Sequence, residues 1–392
     1  MRILWAGVAP WCGSGYGVVT ANMVPRLKEL GHQIAILACY GHKGRLLDWH
    51  GIPIFGNESD DWGNTFIPLF YKEFEADVLI TLFDIWVCRN FKEIGLTWCP
   101  YFPVDHQPVP PMVTQRFPAA HRLIAMSHFG QQEVERAGYQ ALYVPHGVDT
   151  KVFLPRPERE EARKELGVEG KFVIGSVATN IGDRKNFDLM LQVFAEFHQH
   201  HPDSVFYCYT NPKDKNGSAL AEEAQALNLN TSVLFPIEEV LVSGLPPEAM
   251  AVLYSCFDAF ISLSKGEGFG LPIIEAQSCG VPVVVTDYTS MTELKGPGMA
   301  IPVASREWSK HRSWWGIADK NRAVQALDIL YKEFRKGNKS RGEKAREFAL
   351  NYDWDLITGK YWKPALADIE NSLPSRKLVQ VPFPTQDEDT LS

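Results

Sequence analysis

Short apolar runs alternate with amphipathic stretches along almost the whole chain, and this alternation limits the fold more than any other feature. In the first half, residues 3–8, 33–39, 77–83, 98–102, 122–126 and 141–144 read as strands, with helical patterns at 18–30 and 129–137. The second half repeats the habit. Residues 172–178, 205–210, 232–235, 259–263, 281–286 and 299–303 read as strands, and 187–199, 220–226, 247–255, 271–278 and 321–335 as helices. Runs that are apolar throughout are buried on both faces, and the helices between them make the crossovers of parallel sheets. With 392 residues the chain has room for two such units, at roughly 150 residues each.

The segment 144–170, "VPHGVDTKVFLPRPEREEARKELGVEG", combines Pro, Gly and a charge run, and reads as a linker followed by a surface helix. The expected architecture is α/β, with two Rossmann-like domains at 1–150 and 151–350 and a cleft between them. Ligands in such sheets gather outside the carboxyl ends of the strands. Residues 351–372 read as an aromatic-rich closing helix, and 373–392 as a polar tail. The stretch 50–66, "HGIPIFGNESDDWGNTF", reads as a loop.

The net charge of −8 argues against a nucleic-acid partner but leaves room for a local phosphate pocket. Seven cysteines contain no C-x-x-C pair and mostly sit in apolar runs, as reduced thiols in a cytoplasm would. The apolar part of "MRILWAGVAP" is too short for a secretion signal and reads as a first buried strand. No run approaches the ~18 apolar residues of a membrane span. A soluble, cytoplasmic protein is expected, with peripheral membrane contact left open and the oligomeric state not readable.

The chemistry concentrates in 264–286, "SKGEGFGLPIIEAQSCGVPVVVT". A strand enters a glycine-dense turn, where backbone can approach a ligand closely. Leu271-Pro272 then starts a helix, with Pro where a missing N–H costs little. The helix start aims free N–H groups at the cleft and suits a phosphate. Glu275, one turn in, can accept from a ribose diol, and Glu267 stands on the other side of the anion position. A nucleotide sugar has that shape. The plainer reading, a structural turn with two solvated glutamates, leaves the combined spacing unexplained.

This segment resembles the E-x7-E signature of retaining GT-B glycosyltransferases of family 4, through Glu267, Gly268, Phe269, Gly270, Leu271, Pro272, Glu275, Ala276, Cys279, Gly280, Pro282 and Val283. Further stretches agree in order: "SHFGQQEVERAG", "YVPHGVDTKVF", "LPPEAMAVLYSCFDAFISLS", "DYTSMTEL" and the "DW" at 353–354. The resemblance implies a GT-B fold whose closing helix crosses back to the first domain. It also implies a domain 1–150 facing the acceptor and a domain 151–350 binding the donor.

Residue by residue, the resemblance implies that Glu275 holds the donor ribose and Glu267 contacts the transferred sugar. The backbone of Gly268, Phe269, Gly270 and Leu271 would bind sugar hydroxyls and phosphate. In "NIGDRKNFDLML", Arg184 and Lys185 would hold the diphosphate, although many members place the Arg several residues earlier, where this chain has Thr179 and Asn180. A cation pair at a helix start is otherwise disfavoured. In "PWCGSGYG", Gly13, Ser14, Gly15 and Tyr16 would face the acceptor and the donor phosphate. His106, after the fourth strand, would approach the transferred sugar, and Pro236 and Ile237 would flank the base. His128 and His146 read as structural.

The implied activity is transfer of a sugar from a UDP- or GDP-sugar to a hydroxyl of a glycan, lipid, protein or small molecule, with retention. No D-x-D signature stands out, so neither a metal nor another cofactor is expected. Three rivals stand beside it. A glycosidase would use Glu267 and Glu275 as its carboxylate pair. A binding module would hold donor without turnover. A GT-B relative such as a synthase, epimerase or phosphorylase would share most of the motif.

Overall fold

The computed structural model describes residues 1–59, 61–89 and 91–374. Most of the expected tail, from 375 to 392, lies outside the described residues. Strands β1 (Arg2–Val8), β2 (Gln33–Tyr40), β3 (Leu47–Trp49), β4 (Ile52–Gly56), β5 (Val78–Leu82), β6 (Trp98–Phe102), β7 (Leu123–Ala125) and β8 (Ala141–Tyr143) form one sheet, in the order β3-β4-β2-β1-β5-β6-β7-β8. All pairs are parallel except β3 with β4. A second, wholly parallel sheet comprises β9 (Phe172–Val177), β10 (Ser204–Tyr209), β11 (Val233–Leu234), β12 (Ala259–Ser262), β13 (Val283–Thr286) and β14 (Met299–Ile301). Its order is β11-β10-β9-β12-β13-β14.

The apolar runs explain both sheets. Every residue of β5, β6 and β13 is buried, as strands covered by helices on both faces must be. In each sheet the strand order reverses beside the first strand, at β1/β5 and at β9/β12. This is the doubly wound plan, and the reversal leaves a crevice at the carboxyl ends of the strands.

Three expectations need correction. The stretch 50–66 is not one loop, because Ile52–Gly56 pairs with β2 and buries Ile52 and Ile54 in the core. The strand expected at 299–303 ends at Ile301, and the chain goes on into an antiparallel hairpin, β15 (Val303–Trp308) and β16 (Trp314–Ala318). The closing helix starts at Trp354 and not at 351, and it runs unbroken to Asn371 through a widened π turn at Thr358–Trp362. At the π turn the Thr358 hydroxyl bonds back to the Trp354 carbonyl at 2.7 Å. Such back-bonding bends helices.

That closing segment crosses to the first sheet. Trp362, fully buried, packs 5.9 Å from Trp5 and 5.2 Å from Tyr101, measured between ring centroids. Outside this aromatic contact, Arg26 pairs with Asp355 and Arg122 with Asp368, each at 2.8 Å. Arg346 pins the connecting segment by donating to the carbonyls of Thr150, Phe153 and Ser278. The two sheets therefore present their carboxyl edges to one another. Among the described residues, no helix is long and apolar enough to cross a membrane.

Candidate active site

The loops leaving β1, β5 and β6 meet those leaving β9 and β12. The contact is close because glycine makes it so. A Cβ on Gly266 would lie 2.1 Å from the Asp105 carbonyl oxygen, and one on Gly268 would lie 2.2 Å from the Pro103 Cβ. Real Cβ atoms do not approach so near, so the motif's backbone lies against the 103–105 segment with no room for a side chain. Gly270, at φ +106°, turns the chain into the helix Leu271–Ser278. A left-handed residue at that point favours glycine.

Glu267 is buried and holds two cations. Its Oε2 accepts from Arg184 Nη1 at 2.9 Å and its Oε1 from Lys185 Nζ at 2.6 Å. Burial alone would raise its carboxyl, but Lys185 and Arg184 outweigh burial and hold it at about 2. Arg184 also donates to the Gly266 carbonyl at 2.6 Å and stands 3.6 Å from Asp105. Burial disfavours its charge, yet Glu267 and Asp105 keep its pKa raised. Lys185 is pulled down by burial, with Glu267 opposing and Arg184 adding to the effect. The partner of the cation pair in this structure is thus Glu267, which accounts for two cations just before the helix Phe187–His200.

Glu275 has a different environment. Its Oε2 accepts from the Tyr254 hydroxyl at 2.8 Å. Burial pushes its carboxyl up to about 7, and the Tyr254 bond resists this. The two motif glutamates are therefore electrostatically unlike, one fixed as an anion and the other near its titration point at neutral pH.

His106 is buried beneath β15–β16. Its Nδ1 lies 2.6 Å from Asp105 Oδ1, and its ring stacks on Trp315 at 5.0 Å. Gly15 and Tyr16 fall in the first turn of the helix Gly15–Glu29, which starts three residues earlier than its apolar pattern suggests. Ser14 caps that helix, its hydroxyl accepting from the Gly17 N–H at 3.1 Å. A Cβ on Gly15 would lie 3.6 Å from Leu271 Cδ1, so the Gly13–Tyr16 turn stands over the start of the motif helix. Phe269 is buried, with its ring 5.0 Å from His146. Burial holds His146 neutral at about 3, and its Nδ1 meets the Tyr101 hydroxyl, a structural role. Pro236 and Ile237 follow β11, which β10 and β9 separate from β12, and among the described residues they share no hydrogen bond with the motif.

Several site residues had no assigned role. Lys265, nearly buried, pairs with Asp183 and with Glu307, both at 2.8 Å, and so ties the Arg184 loop to β15. Thr289, at φ +55°, takes the Glu267 backbone N–H on its hydroxyl at 2.9 Å. A β-branched residue is strained in that conformation. Ser290 donates to the carbonyls of Glu267 and Phe269. Asp84, after β5, is pushed up to about 6 by burial and by the Asp105 carboxylate. Thr289 and Ser290 stand in "DYTSMTEL" and Tyr254 in "LPPEAMAVLYSCF", so the signal was present as resemblance without a role.

Two apposed doubly wound sheets, a closing segment that crosses back and a cleft lined by paired charges at the carboxyl edges define a GT-B fold. Residues 158–339 match the family model for Glycosyl transferases group 1. Over 153 residues the chain is 31% identical to the lipopolysaccharide core biosynthesis mannosyltransferase LpsB of Rhizobium meliloti, which covers 38% of this chain and 41% of that protein. Mannosylfructose-phosphate synthase of Agrobacterium fabrum is 29% identical over 154 residues, 36% of this chain and 32% of that protein. The match thus spans about two fifths or less of these two relatives. Among solved structures, sucrose-phosphate synthase from Thermosynechococcus elongatus superposes with a TM-score of 0.73 at 15% identity, covering 94% of this chain and 99% of that one. Anabaena HepE in complex with UDP-glucose gives 0.66 at 16% identity, covering 94% and 100%.

Proposed function

We propose that the protein is a retaining glycosyltransferase of family 4 that moves a sugar from a nucleoside diphosphate sugar, UDP- or GDP-linked, to an acceptor hydroxyl. The observation that carries this reading is the Arg184–Glu267–Lys185 cluster beside the start of the Leu271–Ser278 helix, at the edge where two parallel sheets face each other. The mannosyltransferase named above and the UDP-glucose complex of HepE support it.

In this reading residues 151–350 take the donor and residues 1–150 the acceptor. Glu275, oriented by Tyr254, accepts from the ribose diol, with Pro236 and Ile237 beside the base. The diphosphate lies over the helix start, near Gly270 and Leu271, where Arg184 and Lys185 stabilise the charge that builds up as it leaves. Glu267 and the backbone of Gly268 and Phe269 hold the sugar, and His106 approaches it. The turn Gly13–Tyr16 faces the acceptor and the phosphate. The bond from the anomeric carbon to phosphate breaks, the bond to the acceptor oxygen forms on the same face, and the leaving phosphate takes the acceptor proton. No protein nucleophile is assigned, and neither metal nor cofactor is required.

The electrostatics favour this over a glycosidase. A carboxyl held at about 2 with both oxygens on cations is a poor proton donor or nucleophile. The test is a thermal-shift panel of UDP-, GDP-, ADP- and dTDP-sugars on the wild type and Glu275→Ala. At least one donor should stabilise the wild type and fail with the variant. Silence of the whole panel, or equal shifts in both proteins, would refute the donor site. The anomeric coupling of the product by NMR tests retention.

A further inference from the structure

The hairpin β15–β16 is fastened to its own half of the chain and leans on the other. On its own side the Gly316 N–H donates to the Lys265 carbonyl at 2.9 Å, the Tyr288 hydroxyl to the Trp314 carbonyl at 2.8 Å, and Glu307 pairs with Lys265 at 2.8 Å. Towards the first half, Gln107 and Trp314 form an isolated antiparallel bridge, in which the Gln107 N–H donates to the same Trp314 carbonyl at 3.2 Å. The Ser313 hydroxyl donates to the Pro108 carbonyl, and Arg306 reaches Gln107 Oε1 at 3.3 Å.

The contacts with the first half come apart at small cost. When Gln107 leaves, the Trp314 carbonyl keeps its bond from Tyr288. The Arg306–Gln107 bond is exposed, so water can replace it. Yet these contacts hold down the cover of the site. Trp315 stacks on His106 with ring centroids 5.0 Å apart, and His311 stands 5.1 Å from the same ring. Trp315 also lies beside the motif, since a Cβ on Gly266 would be 3.3 Å from its Cδ1. The indole thus fills the space between His106 and the residue before Glu267, and His106 is left 1% exposed. A sugar that His106 is to approach has no way to it while the hairpin is down.

We propose that β15–β16 is an autoinhibitory cover: Trp315 stands in the seat of the transferred sugar, and the hairpin lifts from Gln107 and Pro108 when a sugar nucleotide binds. The proposal rests on the reading of His106 and Glu267 as contacts of the donor sugar. A ligand that binds only the lifted state has its affinity reduced by the fraction of molecules in that state. A nucleoside diphosphate without sugar needs only Glu275, the basic pair and the helix start at Leu271, and is indifferent to the cover. Loosening the hairpin therefore strengthens binding of the sugar nucleotide alone.

Full-length protein is titrated calorimetrically with UDP, UDP-glucose, GDP and GDP-mannose. The double variant Arg306→Ala/Ser313→Ala, which leaves His106 and Glu267 in place, should bind the sugar nucleotide about tenfold more tightly than the wild type does, and the matching nucleoside diphosphate equally. A second variant, Gln107→Cys/Trp314→Cys, puts thiols across the antiparallel bridge, where facing Cα atoms stand about 4.5–5.5 Å apart and within disulfide reach. Oxidised, it should bind nucleoside diphosphate as the wild type does and gain nothing from the sugar. Reduced, it should behave like the loosened variant. Unaltered or weakened sugar-nucleotide binding in Arg306→Ala/Ser313→Ala overturns the proposal. So does equal tightening for both members of a pair, or an oxidised Gln107→Cys/Trp314→Cys protein that binds sugar nucleotide as well as its reduced form. If none of the four ligands binds the wild type or the loosened variant, the donor reading beneath the proposal is refuted instead.

Discussion

A Cβ on Gly268 would stand 2.2 Å from the Cβ of Pro103, so at this glycine of the motif the two halves of the molecule touch with no room for a side chain. Gly268→Ala must push the loop away from the 103–105 segment that carries Asp105. Overpacking of this kind costs about 1–3 kcal/mol, and a displacement near 1 Å at a reacting centre can lower rate about a hundredfold. We expect kcat/KM for transfer to fall by about that factor. The urea midpoint should drop modestly with an unchanged m value.

Glu267 offers a cleaner separation of charge from shape. Glu267→Gln keeps the size of the side chain but leaves Arg184 and Lys185 without their anion. Transfer should fall by about 10²–10³ in kcat if the carboxylate orders the cations and the sugar. Its pKa, depressed to about 2, also sets a sign for stability. A depressed carboxyl contributes stability above its unfolded value, and that contribution is lost as pH falls through the folded value. The wild type should therefore lose stability between about pH 4.5 and 2. Thermal unfolding of Glu267→Gln across that range should show a shallower fall, and an identical slope would remove Glu267 as the cause.

Glu275 titrates in the opposite direction. Its folded carboxyl is raised to about 7, so the folded state keeps a proton that the unfolded chain releases, and this contribution to stability declines as pH rises through that window. A ribose diol donating to the carboxylate favours the charged form. Nucleotide affinity should accordingly increase as pH rises through about 7. Tyr254→Phe removes the donor that favours ionisation and should move the midpoint upward. Calorimetric titrations of nucleoside diphosphate between pH 5.5 and 8.5 read both effects. A flat profile in the wild type would separate Glu275 from the ribose.

The sheets were legible because fully buried strands must be apolar along their length, as β5, β6 and β13 are. The charge-bearing motif was legible because glycine, proline and two glutamates stand close together in sequence. What was lost is what the chain brings together from afar. Lys265 joins Asp183 to Glu307, and only the folded chain shows why a cation stands there. The hairpin "VASREWSKHRSWWGIA" was not read as an element, because charged residues interrupt its apolar pattern and its anchoring bonds run to backbone atoms of Gln107 and Pro108. Ile52–Gly56 was missed because its neighbours 57–66 carry Asn, Ser, Asp and Gly, which blurred a five-residue strand into a loop.

Glu293 provides a last test, one that reaches across the cleft. Its two oxygens stand 2.9 and 3.2 Å from the His128 backbone N–H, at the first turn of the helix His128–Arg136 that belongs to the other half. Ser127 caps the same helix internally, through the Gly130 N–H. Burial pushes the Glu293 carboxyl up to about 7 while the backbone N–H bonds pull against it. Removing the side chain leaves orphan donors at a helix start, at a cost of about 1–2 kcal/mol. Because the acceptor and the donors lie on opposite halves, that cost falls on their closed arrangement. Glu293→Ala should expand the radius of gyration in small-angle scattering without ligand, and bound nucleoside diphosphate should restore part of the compaction. Glu293→Gln retains an acceptor oxygen and should stay near wild type. If Glu293→Ala scatters like the wild type, the bond does not hold the two halves together.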